Sequence, residues 1–188
     1  MPVRDEEVFV TASACLGMYL ALEAILDDGD EVILQAPYFT PYPQQVELAR
    51  GIPVELATYE EEDFQVNVER LENLITERTK ALVINSPNNP TGNCLTTETM
   101  REIARIAEAY DLIVISDEIY TAYSYQHPFV PFASLPGMAF GACGEGYLRM
   151  ACTVDKAVIE EAFARIGKPV DKEADLCYKS CCKGQKCA

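Results

Sequence analysis

Short apolar runs alternate with stretches of helical periodicity along most of this chain. Val8-Phe9-Val10, Glu31-Val-Ile-Leu34, Val54-Glu-Leu56, Ala81-Leu-Val-Ile84 and Leu112-Ile-Val-Ile115 are too short for helices and predict strands. Ala81–Ile84 and Leu112–Ile115 run four residues without a polar interruption, as expected of parallel strands covered on both faces. Between them, Leu16, Tyr19, Leu20, Leu22, Ile25 and Leu26 predict a helix apolar on most sides, and therefore a buried one. Asp27-Asp-Gly-Asp30 stops it. Gln44–Ala49 predicts a short helix ending at Gly51, after a loop over Ala36–Pro43. Leu71, Leu74 and Ile75 predict another, capped near Asn67. Met100, Ile103, Ala104 and Ala107 follow the i, i+3, i+4, i+7 pattern of a helix that Thr96 caps, with Glu98 in its first turn. The alternation predicts an α/β domain, a three-layer α/β/α arrangement around a mainly parallel sheet. Beyond Gly137 the pattern changes: a glycine-rich stretch over 141–146, one strand over 147–153, and a helix from Asp155 that Gly167 and Pro169 end.

The chain has 188 residues, 49% of them apolar, and a formal net charge of -15. That suits a folded protein and argues against nucleic acid or an anionic membrane as partner. No apolar run approaches the ~20 residues that span a bilayer, and Met1–Glu7 lacks a signal-peptide core, so a cytoplasmic location is expected. Cys15, Cys94, Cys143 and Cys152 are scattered, whereas Cys177, Cys181, Cys182 and Cys187 crowd a Lys-rich tail. The tail's spacing matches no strong metal template; it is expected to be disordered and oxidation-prone, with no metal site. Tyr59–Asp63 is expected to be a solvated acidic turn, and His127 a loop residue.

Candidate chemistry lies where strands end, since ligands of open α/β sheets sit beyond the carboxyl ends of the strands. Ser13, Ala14 and Cys15 open a helix, where amides and dipole suit an anion, although Ser13 alone reads first as an N-cap. Asn85-Ser-Pro-Asn-Asn-Pro-Thr-Gly92 continues neither as strand nor as helix. Asp117 ends a buried strand, where a carboxylate calls for a partner, by expectation a cation, although Asp117 alone reads equally as the cap of a neighbouring helix.

Taken together, Thr11-x-Ser13-Ala14-Cys15, Pro37-x-Phe39-x-x-Tyr42, Asn85 to Gly92 and Ser116-Asp-Glu-Ile-Tyr120 occur in the order and spacing of the class I/II aminotransferases. The chain resembles a fold-type I enzyme dependent on pyridoxal 5'-phosphate (PLP), over about Val8–Met138 and again at Gly144–Arg149. The resemblance implies that Ser13 and the Ala14 and Cys15 amides hold the cofactor phosphate. It implies that Phe39 stacks on the pyridine ring and that Tyr42 lines the pocket. Asn89 and Tyr120 would bond the ring's phenolate oxygen, and Asp117 its protonated nitrogen. Arg149 would grip the substrate α-carboxylate. Substrates would be an amino acid and a 2-oxo acid, and the assembly a homodimer. Carbon–sulfur lyases and cyclopropane-carboxylate synthases share the motifs.

The resembled enzymes also anchor the cofactor as a Schiff base on a lysine in a Ser-x-x-Lys segment after the aspartate. None of Lys80, Lys156, Lys168, Lys172, Lys179, Lys183 and Lys186 has that context. The chain therefore reads as an internally deleted or fragmentary copy: 1–138 as the PLP-binding portion, 139–169 as a β-α remnant of a small domain, 170–188 as the tail. No catalytic lysine is assigned. PLP would bind without its covalent anchor and turnover would be very slow, which leaves a non-catalytic PLP-binding remnant or an interaction protein as the other reading.

The strand over Val8–Val10 needs a neighbour that the family supplies from the absent segment; it is expected either to pair with the strand ending at Asp117 or to be left loosely held. With an edge left uncovered, the isolated chain is expected to unfold at low temperature or to aggregate. A sharp two-state thermal transition from a monomer, followed by circular dichroism with light scattering, would contradict this.

Overall fold

The computed structural model describes residues 8–125, 128–135 and 148–151, the last four through their backbone pairing. In chain order the regular elements are β1 (Val8–Thr11), α1 (Ala14–Ile25), β2 (Glu31–Ala36), α2 (Pro41–Leu48), β3 (Ile52–Ala57), α3 (Val68–Leu74), β4 (Thr79–Asn85), α4 (Thr97–Ala109), β5 (Ile113–Asp117) and β6 (Leu148–Ala151). The described residues all fall in one compact unit that ends at Ala151. His127, the domain boundaries at 138/139 and 169/170, the helix from Asp155 and the cysteine-rich tail lie outside the described residues.

Four strands form one sheet in the order β3-β2-β4-β5, every neighbouring pair parallel. Its side chains divide by parity, as a pleated strand requires. Val32, Leu34, Ala81 and Val83 face Met18, Leu22, Tyr42 and Val46 of α1 and α2. Ile33, Leu82, Ile84 and Val114 face Leu71, Met100, Ile103 and Ile106 of α3 and α4. Both faces are therefore cores, and the three-layer α/β/α architecture follows. All six residues of β2 are buried, which explains why its apolar run shows no alternation.

Helix ends follow local chemistry. The Asn67 side chain accepts from the Arg70 amide and the Thr96 hydroxyl from the Thr99 amide, capping α3 and α4. Gly29, at φ 89°, closes the turn after α1. The loop expected over Ala36–Pro43 is shorter than that, because α2 already starts at Pro41, and proline's missing amide costs nothing in a first turn. β3 runs longer than its apolar core suggested and holds Pro53, which an edge strand tolerates.

Two expectations are corrected. β1 does not pair with the strand ending at Asp117: it lies parallel to β6 in a separate two-stranded sheet, Phe9 opposite Arg149. Nor is α1 buried all round. Met18 and Leu22 are covered, while Leu16 and Leu20 are 41% and 47% exposed. One stripe suffices to pack on the sheet, and no described element covers the other.

At the opposite end from the candidate site, Glu31 is 5% exposed. Its carboxylate accepts from the Thr76 hydroxyl at 2.6 Å and from Arg78 Nη2 at 2.6 Å and Nε at 3.1 Å. The Glu31 amide donates to the Arg78 carbonyl at 2.8 Å, so the start of β2 is clamped to the approach to β4. The Thr76 and Arg78 bonds hold the Glu31 carboxyl below its ordinary range against the opposing effect of burial. Its stabilising contribution is thus present above the unfolded value, about 4.3, and is lost as pH falls through the lowered folded value. Glu31→Gln is expected to cost about 1–2 kcal/mol at pH 7, toward the low end because Arg78 is largely exposed. Urea unfolding as a function of pH checks this: the gap between the two proteins should close below about pH 4.

Candidate functional site

The chain leaves β2 through α2 toward β3 on one side, and leaves β4 through α4 toward β5 on the other. The C-terminal ends of β2 and β4 are therefore a topological switch point, where an open parallel sheet has a crevice. Polar side chains gather there because both faces of the central strands are taken up by cores. Gln35, Asn85, Ser86 and Asn88 are each at most 6% exposed. Asn85 Oδ1 accepts from the Asn89 amide at 2.7 Å and its Nδ2 donates to the Asp117 carbonyl at 2.8 Å. Ser86 accepts from the Leu95 amide at 3.0 Å, and Asn88 Nδ2 donates to the Pro37 carbonyl at 3.3 Å. The turn carries cis bonds at Ser86–Pro87 and Asn89–Pro90. Gly92, at φ 74°, adopts a backbone that other residues rarely take.

On that frame Phe39, Tyr42, Asn89, Asp117 and Tyr120 are linked to one another directly or through Asn85. The Tyr42 hydroxyl donates to Asp117 Oδ2 at 2.7 Å, across 75 residues of chain, and Asp117 Oδ1 accepts from the Ile119 amide at 3.2 Å. Among the described residues, a phenol and a backbone amide donate to the Asp117 carboxylate. Asn89 Nδ2 donates to the Tyr120 hydroxyl at 3.3 Å. Asn89 and Asp117 are thus two hydrogen bonds apart, through Asn85. Phe39 meets Tyr42 edge to face, centroids 5.8 Å apart. Ser13 caps α1, its Oγ accepting from the Leu16 amide at 3.1 Å, so the plain reading of that residue holds whatever else it does. Cys15 is exposed, and its carbonyl accepts from Gln45 Nε2 at 2.9 Å, which ties α1 to α2. Arg149 lies in β6 by its backbone.

The donor set matches the chemistry of a phosphorylated pyridine: a helix start for an anion, an aromatic face, an amide with a phenol for an oxygen, a carboxylate for a ring nitrogen. It offers no amine. Lys80 is the one lysine among the described residues, the second residue of β4. It is separated from Asn85 by five residues of extended chain, roughly 16 Å. No group of metal-ligating side chains occurs among the described residues, and none of their helices is long and apolar enough to cross a membrane.

Sequence reasoning assigned no role to Gln45, Asn85 or Glu118. For Asn85 a signal existed, as the first polar residue after a wholly apolar strand. Glu118 lies beside Asp117, and its Oε1 accepts from the Phe132 amide at 2.7 Å and the Ser116 hydroxyl at 3.1 Å. It fastens the return segment, with Phe132 buried, to the strand that presents Asp117.

A family model described as aminotransferase class I and II matches residues 2–139. Curated relatives include an aspartate aminotransferase of Pyrococcus abyssi, 46% identical over 135 residues, which are 71% of this chain and 35% of that protein. A probable aspartate/prephenate aminotransferase of Thermus aquaticus is 46% identical over 126 residues, 67% of this chain and 33% of that one. Among solved structures, the aromatic aminotransferase from Pyrococcus horikoshii superposes with a TM-score of 0.66 at 45% identity, covering 68% of this chain and 34% of its own. The alanine aminotransferase from Pyrococcus furiosus does so at 0.64 and 40% identity, covering 66% and 32%. Each match spans about a third of the relative's length.

Burial pushes the Glu118 carboxyl up, against the bonds from Phe132 and Ser116, and the Asp117 charge adds to the rise. A folded value above the unfolded one stabilises the protein at pH below the unfolded value, and this is lost as pH rises through the folded value. Glu118→Gln keeps an acceptor for Phe132 and removes the charge. It is expected to melt higher than the parent at pH 7 and to show no such gain at pH 4, in thermal melts at the two pH values.

Proposed function

The chain belongs to the aminotransferase class I and II family, and on that premise we propose that it is the cofactor-binding part of a PLP-dependent aminotransferase acting on an amino acid and a 2-oxo acid. The observation that carries this reading is the pair Tyr42–Asp117 and the pair Asn89–Tyr120 at the switch point, tied to each other through Asn85. The relatives' names support aminotransfer over the lyase and cyclopropane-carboxylate synthase chemistries of the same fold.

Bound PLP supplies an electron sink for the pair left when an amino acid loses its α-proton. The rest is done by residues of this chain. Asp117, held by Tyr42 and by the Ile119 amide, would set its carboxylate against the protonated ring nitrogen. Asn89, whose own amide is fixed by Asn85, and Tyr120 offer an N–H and an O–H to the ring oxygen. Phe39 gives the ring an apolar face and excludes water from it. The first turn of α1, Ser13 to Cys15, takes the phosphate. Arg149 takes the substrate carboxylate, and a second copy of the chain is the assembly partner.

The α-proton needs a base, and no lysine among the described residues stands at this rim. One observation therefore favours the second reading, a PLP-binding remnant without turnover: Lys80 enters its strand from the far end. A protein that carries this segment within a longer chain would bring its own amine.

Equilibrium dialysis of the full chain with PLP separates these from a fold without the cofactor. Saturable binding is expected, weakened about tenfold to a hundredfold by Asp117→Ala, the loss of one charge-assisted bond. Amino transfer between an amino acid and a 2-oxo acid should stay at background in both. No PLP binding, with Asp117→Ala indistinguishable from the parent, would remove the proposal.

A further inference from the structure

We infer that Gln45 is a positioning residue for the phosphate end of the site, so that a single helix, α2, sets the span between the start of α1 and Asp117. The inference rests on the PLP reading above and goes beyond it by giving a role to a side chain that touches no proposed cofactor atom.

Gln45 is 7% exposed, and its Nε2 donates to the Cys15 carbonyl at 2.9 Å. The amide of the same peptide unit, that of Leu16, donates to Ser13 Oγ at 3.1 Å. A peptide unit is planar and stiff, so the Cys15–Leu16 unit is held at both polar ends, from α2 and from the cap. That unit lies in the first turn of α1, and its orientation sets where the neighbouring amides point. On the same face of α2, three residues earlier, Tyr42 donates to Asp117 Oδ2 at 2.7 Å. A helix advances by a fixed amount, about 1.5 Å per residue. The two contacts are therefore a fixed distance apart along α2, and the helix transmits that distance to the anion end and the carboxylate end of the site.

A second observation separates this role from packing. Gln45 Oε1 is buried without a hydrogen-bond partner among the described residues. An unbranched apolar side chain of similar length would fill the space without burying an unpaired acceptor. Packing alone disfavours the amide; the contact it uniquely supplies is the one to Cys15.

The test compares the affinity of the full chain for PLP and for pyridoxal, which lacks the phosphate, in the parent, Gln45→Met and Gln45→Glu. Gln45→Met is expected to melt at or above the parent's temperature and to bind pyridoxal equally well. Its preference for PLP over pyridoxal should fall about fivefold, the equivalent of one neutral hydrogen bond. Gln45→Glu should lose more, since it sets a carboxylate oxygen, which cannot donate, against the Cys15 carbonyl and adds a negative charge at the anion end of the site. An unchanged preference in whichever variant folds overturns the inference, as does a parent that binds both ligands equally. Failure of both variants to fold makes Gln45 a stability residue only and also overturns it. A parent that binds neither ligand removes the PLP reading itself; PLP binding with the preference intact in the variants removes the Gln45 role alone.

Discussion

Everything in this structure depends on the double coverage of β2 and β4. With α1 and α2 packed on one face of these strands and α3 and α4 on the other, no polar side chain can leave them sideways without an unpaired group in a core. Polar chemistry is confined to the strand ends. At the amino end it is spent on a clamp, Glu31 with Thr76 and Arg78. At the carboxyl end it becomes a crevice, because the connections after β2 and β4 diverge. One constraint thus yields both the rigidity of the sheet and the place of the site.

The crevice is organised in two tiers. Gln35, Asn85, Ser86 and Asn88 are buried and bond mainly to backbone, so they shape loops. Phe39, Asn89, Asp117 and Tyr120 are only partly covered. Tyr42 belongs to both tiers: it is 4% exposed, yet its hydroxyl reaches the Asp117 carboxylate. A buried phenol is costly unless its hydroxyl is bonded, and an end-of-strand carboxylate is costly unless it accepts protons. Each resolves the other's cost, which is why a contact spanning 75 residues of chain can anchor the site.

Two features fit a segment that elsewhere works inside a larger protein. The outer stripe of α1 exposes Leu16 and Leu20, and β1 exposes Phe9 at 75%. The matched region also accounts for only a third of each relative. Among the described residues the single lysine, Lys80, stands at the end of β4 away from the candidate site.

Much of this was legible in the order of residues. The unbroken apolar runs of β4 and β5, the caps at Ser13, Asn67 and Thr96, and the turn from Asn85 to Gly92 follow from rules that reach only a few residues, and so does the choice of Ser13, Asn89, Asp117 and Tyr120 as polar groups at strand ends. The start of α2 at Pro41 was missed because a proline run reads as loop until a helix N-terminus gives it a use. Three matters needed the tertiary structure. Which strand lies beside β1, which flank of α1 stays uncovered, and who satisfies Asp117 depend on partners far away in the chain, and no local pattern records them. Residue order alone determined which groups stand at the ends of strands; the strand order β3-β2-β4-β5 decided that those ends meet, because crevices arise where consecutive crossovers part, and that is a property of connectivity in space.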